Sequence, residues 1–201
     1  RGSGQESLTA IRSPVLTGAG SCGSFLFLEN GIPIRPVGFC NVNELLEVNT
    51  EQAAAVEVLR GPGTALYGSS AMHGVVNTLQ PAPEQRPSRA VAVDAGPDGY
   101  SRARLATRAG SAEWQYGLAG LYTRDDGWRI DSGFDEAKFS GVANGHWGDT
   151  ATRIDLAATW LDQDTAGFIT GQGAYRSEQA SRQNDNPEAY LAGFPWHPHR
   201  G

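Results

Sequence analysis

Lysine is almost absent from this 201-residue chain: Lys138 is the only one. With 16 basic against 22 acidic side chains the net charge is −6, which argues against a nucleic-acid surface. No apolar run approaches the ~18 residues that a membrane-spanning helix needs. That excludes helical spans but not barrel strands, whose alternating signal is much weaker in any one segment. Cysteine is confined to Cys22 and Cys40, with seventeen residues between them. In a reducing compartment they would be free thiols. In an oxidising one they would pair, closing a loop worth roughly 3 kcal/mol in the chain-entropy model, provided geometry allows the bond. No lysine follows the glycines between Gly61 and Gly74, so the G-x-x-x-x-G-K-[ST] phosphate cradle is excluded there.

What the chain has is a glycine-punctuated stretch from Val56 to Leu79, around which the rest is organised. Val56 and Val58 alternate with Glu57, and Leu59-Arg60 leads into Gly61-Pro62-Gly63, which can hardly continue a strand or a helix. Thr64 is placed to cap one helical turn through Ala65-Leu66-Tyr67, ended by Gly68. After a Gly/Ser loop closed by Gly74, Val75 to Leu79 reads as a second strand. Before it, Phe25–Glu29, Asn30-Gly31 and Ile32–Arg35 form a hairpin signal, because Asn-Gly suits the positive φ angles of a type I′ turn. Pro33 lacks an N–H and marks its strand as an edge. Short helical turns are expected at Asn43–Val48 and, capped by Thr50, at Glu51–Ala54.

From Glu57 to Asn77 the chain resembles, without a gap, the plug-domain signature of TonB-dependent outer-membrane receptors. That pattern is approximately E-V-L-R-G-P-x-x-A-L-Y-G-x-x-A-x-x-G-V-I-N. Two earlier blocks stand in the family's order. Ile11-Arg12 matches its I-R, followed here by Ser13-Pro14 instead of glycine, and Leu28 to Ile34 is similar to its V-D-G-V-P-V. The resemblance covers about Leu8 to Leu79.

It implies an α+β plug domain followed by antiparallel strands of a transmembrane β-barrel, of which about five of twenty-two strands fall within this chain. The implied domains are a plug over residues 1–80, a linker over 81–88 and barrel strands with an outer loop over 89–201. The chain opens in a polar stretch and stops in a Pro/His-rich one, so it is expected to be a fragment of something longer. The implied function is active uptake of a scarce solute across the bacterial outer membrane, by family frequency alone an iron–siderophore, with vitamin B12, haem or a carbohydrate fitting the residues equally well. Its partners would be the energy-transducing TonB protein, a small-molecule ligand such as a metal chelate, and outer-membrane lipid. No enzymatic activity, resident cofactor or metal is expected. The apical plug residues Arg12, Arg35 and Phe39 are the expected ligand contacts, offering cation and aromatic chemistry to an acidic chelate. Glu57, Arg60, Gly61, Pro62, Tyr67 and Gly68 are expected to shape and couple the plug, and Cys22 and Cys40 to pair in the periplasm.

Past the linker (Pro81, Pro83 and Pro87) five segments alternate: Arg89–Gly96, Tyr100–Ala109, Glu113–Arg124, Glu136–Trp147 and Ala151–Leu161. Trp114, Tyr116, Leu118 and Tyr122 share one face of the third; Arg102, Arg104 and Arg108 share the polar face of the second. If the chain leaves the plug on the periplasmic side, Trp114 and Trp147 lie at the inner ends and Tyr122, Phe139 and Trp160 at the outer ends. Phe139 and Trp147 then span about 26 Å of strand, and a tilt of ~40° gives a height near 20 Å, a little under the apolar band of such barrels.

The competing reading of the alternation is a soluble β-sandwich, for example a carbohydrate-binding module using Trp114, Trp128 and Tyr122. A third reading starts from Cys22-Gly23-Ser24, which begins like a papain-type motif with His146 far downstream, but Phe25 replaces the motif's second cysteine. His197 and His199 are an incomplete metal set, and His73 is filler in the plug loop. The three arginines of the second segment are expected to face the plug and pair with acids such as Glu57.

Overall fold

The computed structural model describes residues 25–34, 48–130 and 132–164, which form a four-stranded and a five-stranded sheet. The smaller sheet starts where Asn30 and Gly31 both take positive φ, 51° and 83°. That turn joins β1 (Phe25–Glu29) antiparallel to β2 (Ile32–Pro33), with Leu28 opposite Pro33. β2 is the edge strand, where the missing N–H of Pro33 removes no ladder bond.

β3 (Ala55–Arg60) runs antiparallel to β4 (Gly74–Leu79), and β4 lies parallel to β1, giving the order β2-β1-β4-β3. β1 is central and buried at every position, which explains its unbroken Phe-Leu-Phe-Leu run. Leu26, Leu28, Ala71 and Val75 pack on one side of the sheet; Phe25, Phe27 and Val76, with Ile34, pack on the other.

Between β3 and β4 lies α1 (Thr64–Tyr67), followed by a 3-10 turn over Ser69–Ala71. The cap differs from the expectation. Gly63 is the N-cap, its carbonyl accepting from the N–H of Leu66 and Tyr67, and Thr64 is already the first helical residue with no capping side-chain bond. Gly68 ends the helix with φ 85°. The expected helical turn over Glu51–Ala54 is a single turn instead, closed by Ala53 N–H to Thr50 O, and the residues then extend directly into β3. The expected turn at Asn43–Val48 falls, except for Val48, outside the described residues.

The larger sheet is an up-and-down meander of β5 (Ser88–Ala95), β6 (Ser101–Gly110), β7 (Trp114–Asp125), β8 (Phe134–Trp147) and β9 (Thr150–Gln163). Each expected segment is therefore a strand, with ends displaced by at most two residues. The connections at one end are short, as at Gly148-Asp149; the Asp126–Gly133 loop at the other end is longer. Among the described residues the sheet is open, with β5 and β9 at its edges.

Its two faces decide between membrane barrel and sandwich. The apolar face is the exposed one, with Val91 80%, Val93 75%, Leu105 59% and Leu156 58% accessible. The polar face is covered at its centre, over β7 and β8: Glu136 is 1% and Lys138 5% exposed. A soluble sandwich buries its apolar face and wets its polar one. An inverted sheet, apolar outside and charged inside, needs hydrocarbon on its outer face, as an outer-membrane barrel has.

Candidate functional site

The covered face of the larger sheet is the wall against which the smaller sheet sits. Strand register lays its side chains out in rows. One row reads Asp94, Arg102, Thr123, Glu136 and Leu161; the next reads Ala92, Arg104, Leu121, Lys138 and Thr159. Below them runs a row of small residues, Ala90, Ala106, Ala119, Ser140 and Ala157. In that row Ala119 and Ser140 are buried, and the rows above supply the polar partners of the smaller sheet.

Two parts of the plug use this surface. At the β1–β2 turn, Asn30 Nδ2 donates to Asp155 Oδ1 on β9 at 2.8 Å, while Asn30 Oδ1 accepts from Gln80 N–H at 2.9 Å. At the turn before β3, Gln52 Nε2 donates to the Leu105 carbonyl of β6 at 2.9 Å, and Glu51 Oε2 lies 3.6 Å from Lys138 Nζ. Gln80 Nε2 donates to Asn49 O at 3.0 Å and so joins the two contacts from within the plug. The linker is pinned too: Arg108 Nη1 meets Glu84 Oε1 at 2.6 Å.

Glu29 is buried beside these contacts, 8% exposed. Burial pushes its carboxyl above the usual value of 4.5, and the nearby negative charge of Asp155 adds to the rise; hydrogen bonds with Ser140, Gln80 and Asn49 oppose it.

The signature residues lie elsewhere. Glu57 Oε2 accepts from Asn77 Nδ2 at 2.9 Å, and Asn77 Oδ1 accepts from the N–H of Gly31 at 2.9 Å. The signature thus ties β3 and β4 to the β1–β2 turn of its own sheet. Arg60 closes β3 opposite Gly74, followed by Gly61 (φ 120°), Pro62 and α1, where Tyr67 is 42% exposed. Gly63 is closely packed: a Cβ there would sit 2.9 Å from Leu59 Cδ2 and 3.0 Å from Val75 Cγ2.

One expectation is corrected. Glu57 does not meet the β6 arginines, because β3 is the other edge strand, exposed at all six positions, and the wall is reached from the β1–β2 turn and from Glu51 and Gln52. Arg104 pairs with Asp94 at 3.0 Å, Arg108 with Glu84, and Arg102 stacks over the Tyr100 ring at 5.4 Å. Arg12, Arg35, Phe39, Cys22 and Cys40 lie outside the described residues, as do His197 and His199. Sequence reasoning missed Asn30, Glu51, Lys138 and Asp155 as contact residues. The available signal was the lone lysine, placed on the polar face of its strand.

A small mixed sheet seated on the charged inner wall of an outward-apolar meander is the arrangement of a plugged outer-membrane barrel. Residues 3–75 match the family model of the TonB-dependent receptor plug domain. The vitamin B12 transporter BtuB of Vibrio vulnificus is 30% identical over 151 residues, covering 65% of this chain and 24% of that protein. Among solved structures, the ferric yersiniabactin uptake receptor FyuA of Yersinia pestis superposes with a TM-score of 0.59 at 18% identity, over 78% of this chain and 26% of that one. The copper transporter OprC superposes with a TM-score of 0.57 at 17% identity, over 73% and 24%. The match to the TonB-dependent receptor plug domain and the likeness of the fold to plugged outer-membrane barrels agree, and the chain spans about a quarter of the length of the curated relative it matches.

Proposed function

We propose that this chain is part of a receptor that takes up a scarce solute actively across the bacterial outer membrane, driven by contact with TonB. The observation that carries the reading is the inverted wall: an exposed apolar face, a buried charged face, and a plug hydrogen-bonded to the latter. A plug that fills the lumen must move or rearrange for a solute to pass, so uptake needs an energy input. Covalent catalysis has no place in this reading.

The domain division is residues 1–80 as plug, 81–88 as linker and 89–201 as barrel strands with an outer loop. Arg12, Arg35 and Phe39 at the plug apex contact the solute, and Cys22 pairs with Cys40 in the periplasm. Glu57, Arg60, Gly61, Pro62, Tyr67 and Gly68 shape the plug and couple its movement. An iron–siderophore is the first solute to test; the structural relative named for ferric yersiniabactin uptake supports it at the level of fold. Cobalamin is the second reading, favoured by the similarity in sequence to a vitamin B12 transporter.

The test is growth of a strain lacking the gene, with and without the full-length gene restored. Siderophore transport predicts rescue when ferric chelates are the sole iron source; cobalamin transport predicts rescue only when growth depends on cobalamin. Rescue in neither medium, together with a soluble product, would reject outer-membrane uptake.

A further inference from the structure

The two wall charges that hold the plug each have a counter-ion on their own strand. Lys138 Nζ is 3.0 Å from Glu136 Oε1 and 3.6 Å from Glu51 Oε2 of the plug. Asp155 accepts from Arg153 through both oxygens, at 2.7 and 2.8 Å, and also from Asn30 of the plug at 2.8 Å. In both places the counter-ion sits two residues away on the same face of the strand, and the plug adds a further partner.

This pattern sets what happens when the plug moves. A buried charge stripped of its only partner is strongly destabilising, and such a contact would bolt the plug in place. Here Lys138 keeps Glu136, and Asp155 keeps Arg153. On the plug side Asn30 is neutral, and the Glu51 side chain, 26% exposed, is already close to water. The bonds that break are therefore the ones that leave no buried charge bare.

We propose that Glu136 and Arg153 are release elements: resident wall counter-ions that keep Glu51–Lys138 and Asn30–Asp155 reversible, so that the plug can withdraw. The use of this withdrawal rests on the uptake reading, but the latch is a property of the protein alone and is measured without any solute.

The experiment is amide hydrogen exchange on the full-length receptor in detergent, following peptides over residues 48–54 and 28–34, with heat-modifiable gel mobility as the check on barrel folding. Glu51→Gln raises exchange over 48–54 by about threefold, the size a partly exposed ion pair supports. Glu136→Gln does the opposite and lowers it, because Lys138 is left to depend on Glu51. Arg153→Gln likewise lowers exchange over 28–34, because Asp155 is left to Asn30. An ordinary structural role predicts that losing either partner of Lys138 loosens the same region. Unchanged or increased exchange in Glu136→Gln, or no increase in Glu51→Gln, would overturn the proposal. If Glu136→Gln prevents folding, Arg153→Gln decides, since its side chain is 48% exposed; unchanged or increased exchange over 28–34 overturns the proposal. A receptor that shows these shifts but rescues no growth rejects the uptake reading and keeps the latch. Growth rescue without the shifts rejects the latch alone.

Discussion

Asn30 and Asp155 stand 125 residues apart and meet through a 2.8 Å hydrogen bond from side-chain amide to carboxylate. Asn30 is at once the first residue of a type I′ turn, with φ 51°, the acceptor for Gln80 N–H, and the anchor of the plug hairpin to β9. One side chain thus links local backbone geometry to the seating of one sheet on another.

Separating those roles gives a first prediction. Asn30→Gly keeps the positive φ and loses both side-chain bonds, destabilising the plug by about 1–2 kcal/mol. Asn30→Ala loses the bonds and adds about 1–2 kcal/mol of left-handed strain. Hydrogen exchange over residues 25–34 should rank them wild type, Gly, Ala; equal exchange in all three would show that the contact to Asp155 holds nothing.

Glu29 makes plug stability depend on pH. Its carboxyl is raised above 4.5 in the folded protein, chiefly by burial, so between 4.5 and that higher value the folded state binds more protons than the unfolded one. Stability therefore falls as pH rises through that window and is recovered below it. Glu29→Gln should flatten this dependence and stabilise the plug at neutral pH. Plug unfolding followed against pH in both forms checks it, and an unchanged slope in the variant refutes it.

Gly61, a signature glycine, and Gly63, at one of its variable positions, should fail for different reasons. Gly63→Ala puts a Cβ against Leu59, Val75 and Tyr67, at 2.9, 3.0 and 3.3 Å, and should cost about 1–3 kcal/mol through overpacking. Gly61→Ala meets no atom within 4 Å, but its φ of 120° makes the cost one of backbone strain, of order 1–3 kcal/mol. Trimming Leu59 to Ala in the Gly63→Ala background should recover part of the loss, and should recover none in the Gly61→Ala background. Protease resistance of the plug reports both.

Leu105 lies mid-strand on the apolar face and is 59% exposed. If that face meets lipid, Leu105→Arg costs about 2–4 kcal/mol. If it meets water, the cost stays within about 0.5 kcal/mol. Refolding yield into lipid vesicles, read by heat-modifiable mobility, separates the two.

Most of the fold was legible because its signals are local. Asn30-Gly31 declares its turn, Pro33 its edge, and period-two alternation its five strands, each needing only neighbouring residues. The cap at Gly63 was misread because a carbonyl can begin a helix without a capping side chain, and the hydroxyl of Thr64 was the more visible feature. For the plug–wall contacts the chain offers one hint, the lone lysine on the polar face of its strand, and it does not name that lysine's partner. Which plug residue faces Lys138 or Asp155 depends on how two sheets are placed, and no spacing in the chain encodes that. Glu57, conspicuous in the signature, serves its own sheet through Asn77 and not the β6 arginines.

The most direct measurement is made on the full-length gene product in its native cell: outer-membrane fractionation together with heat-modifiable mobility on a gel. A plugged barrel predicts a protein in the outer-membrane fraction whose folded form migrates differently from its boiled form. A soluble protein whose mobility is unaffected by heating would mean that the exposed apolar face packs on something other than lipid, contradicting the barrel reading.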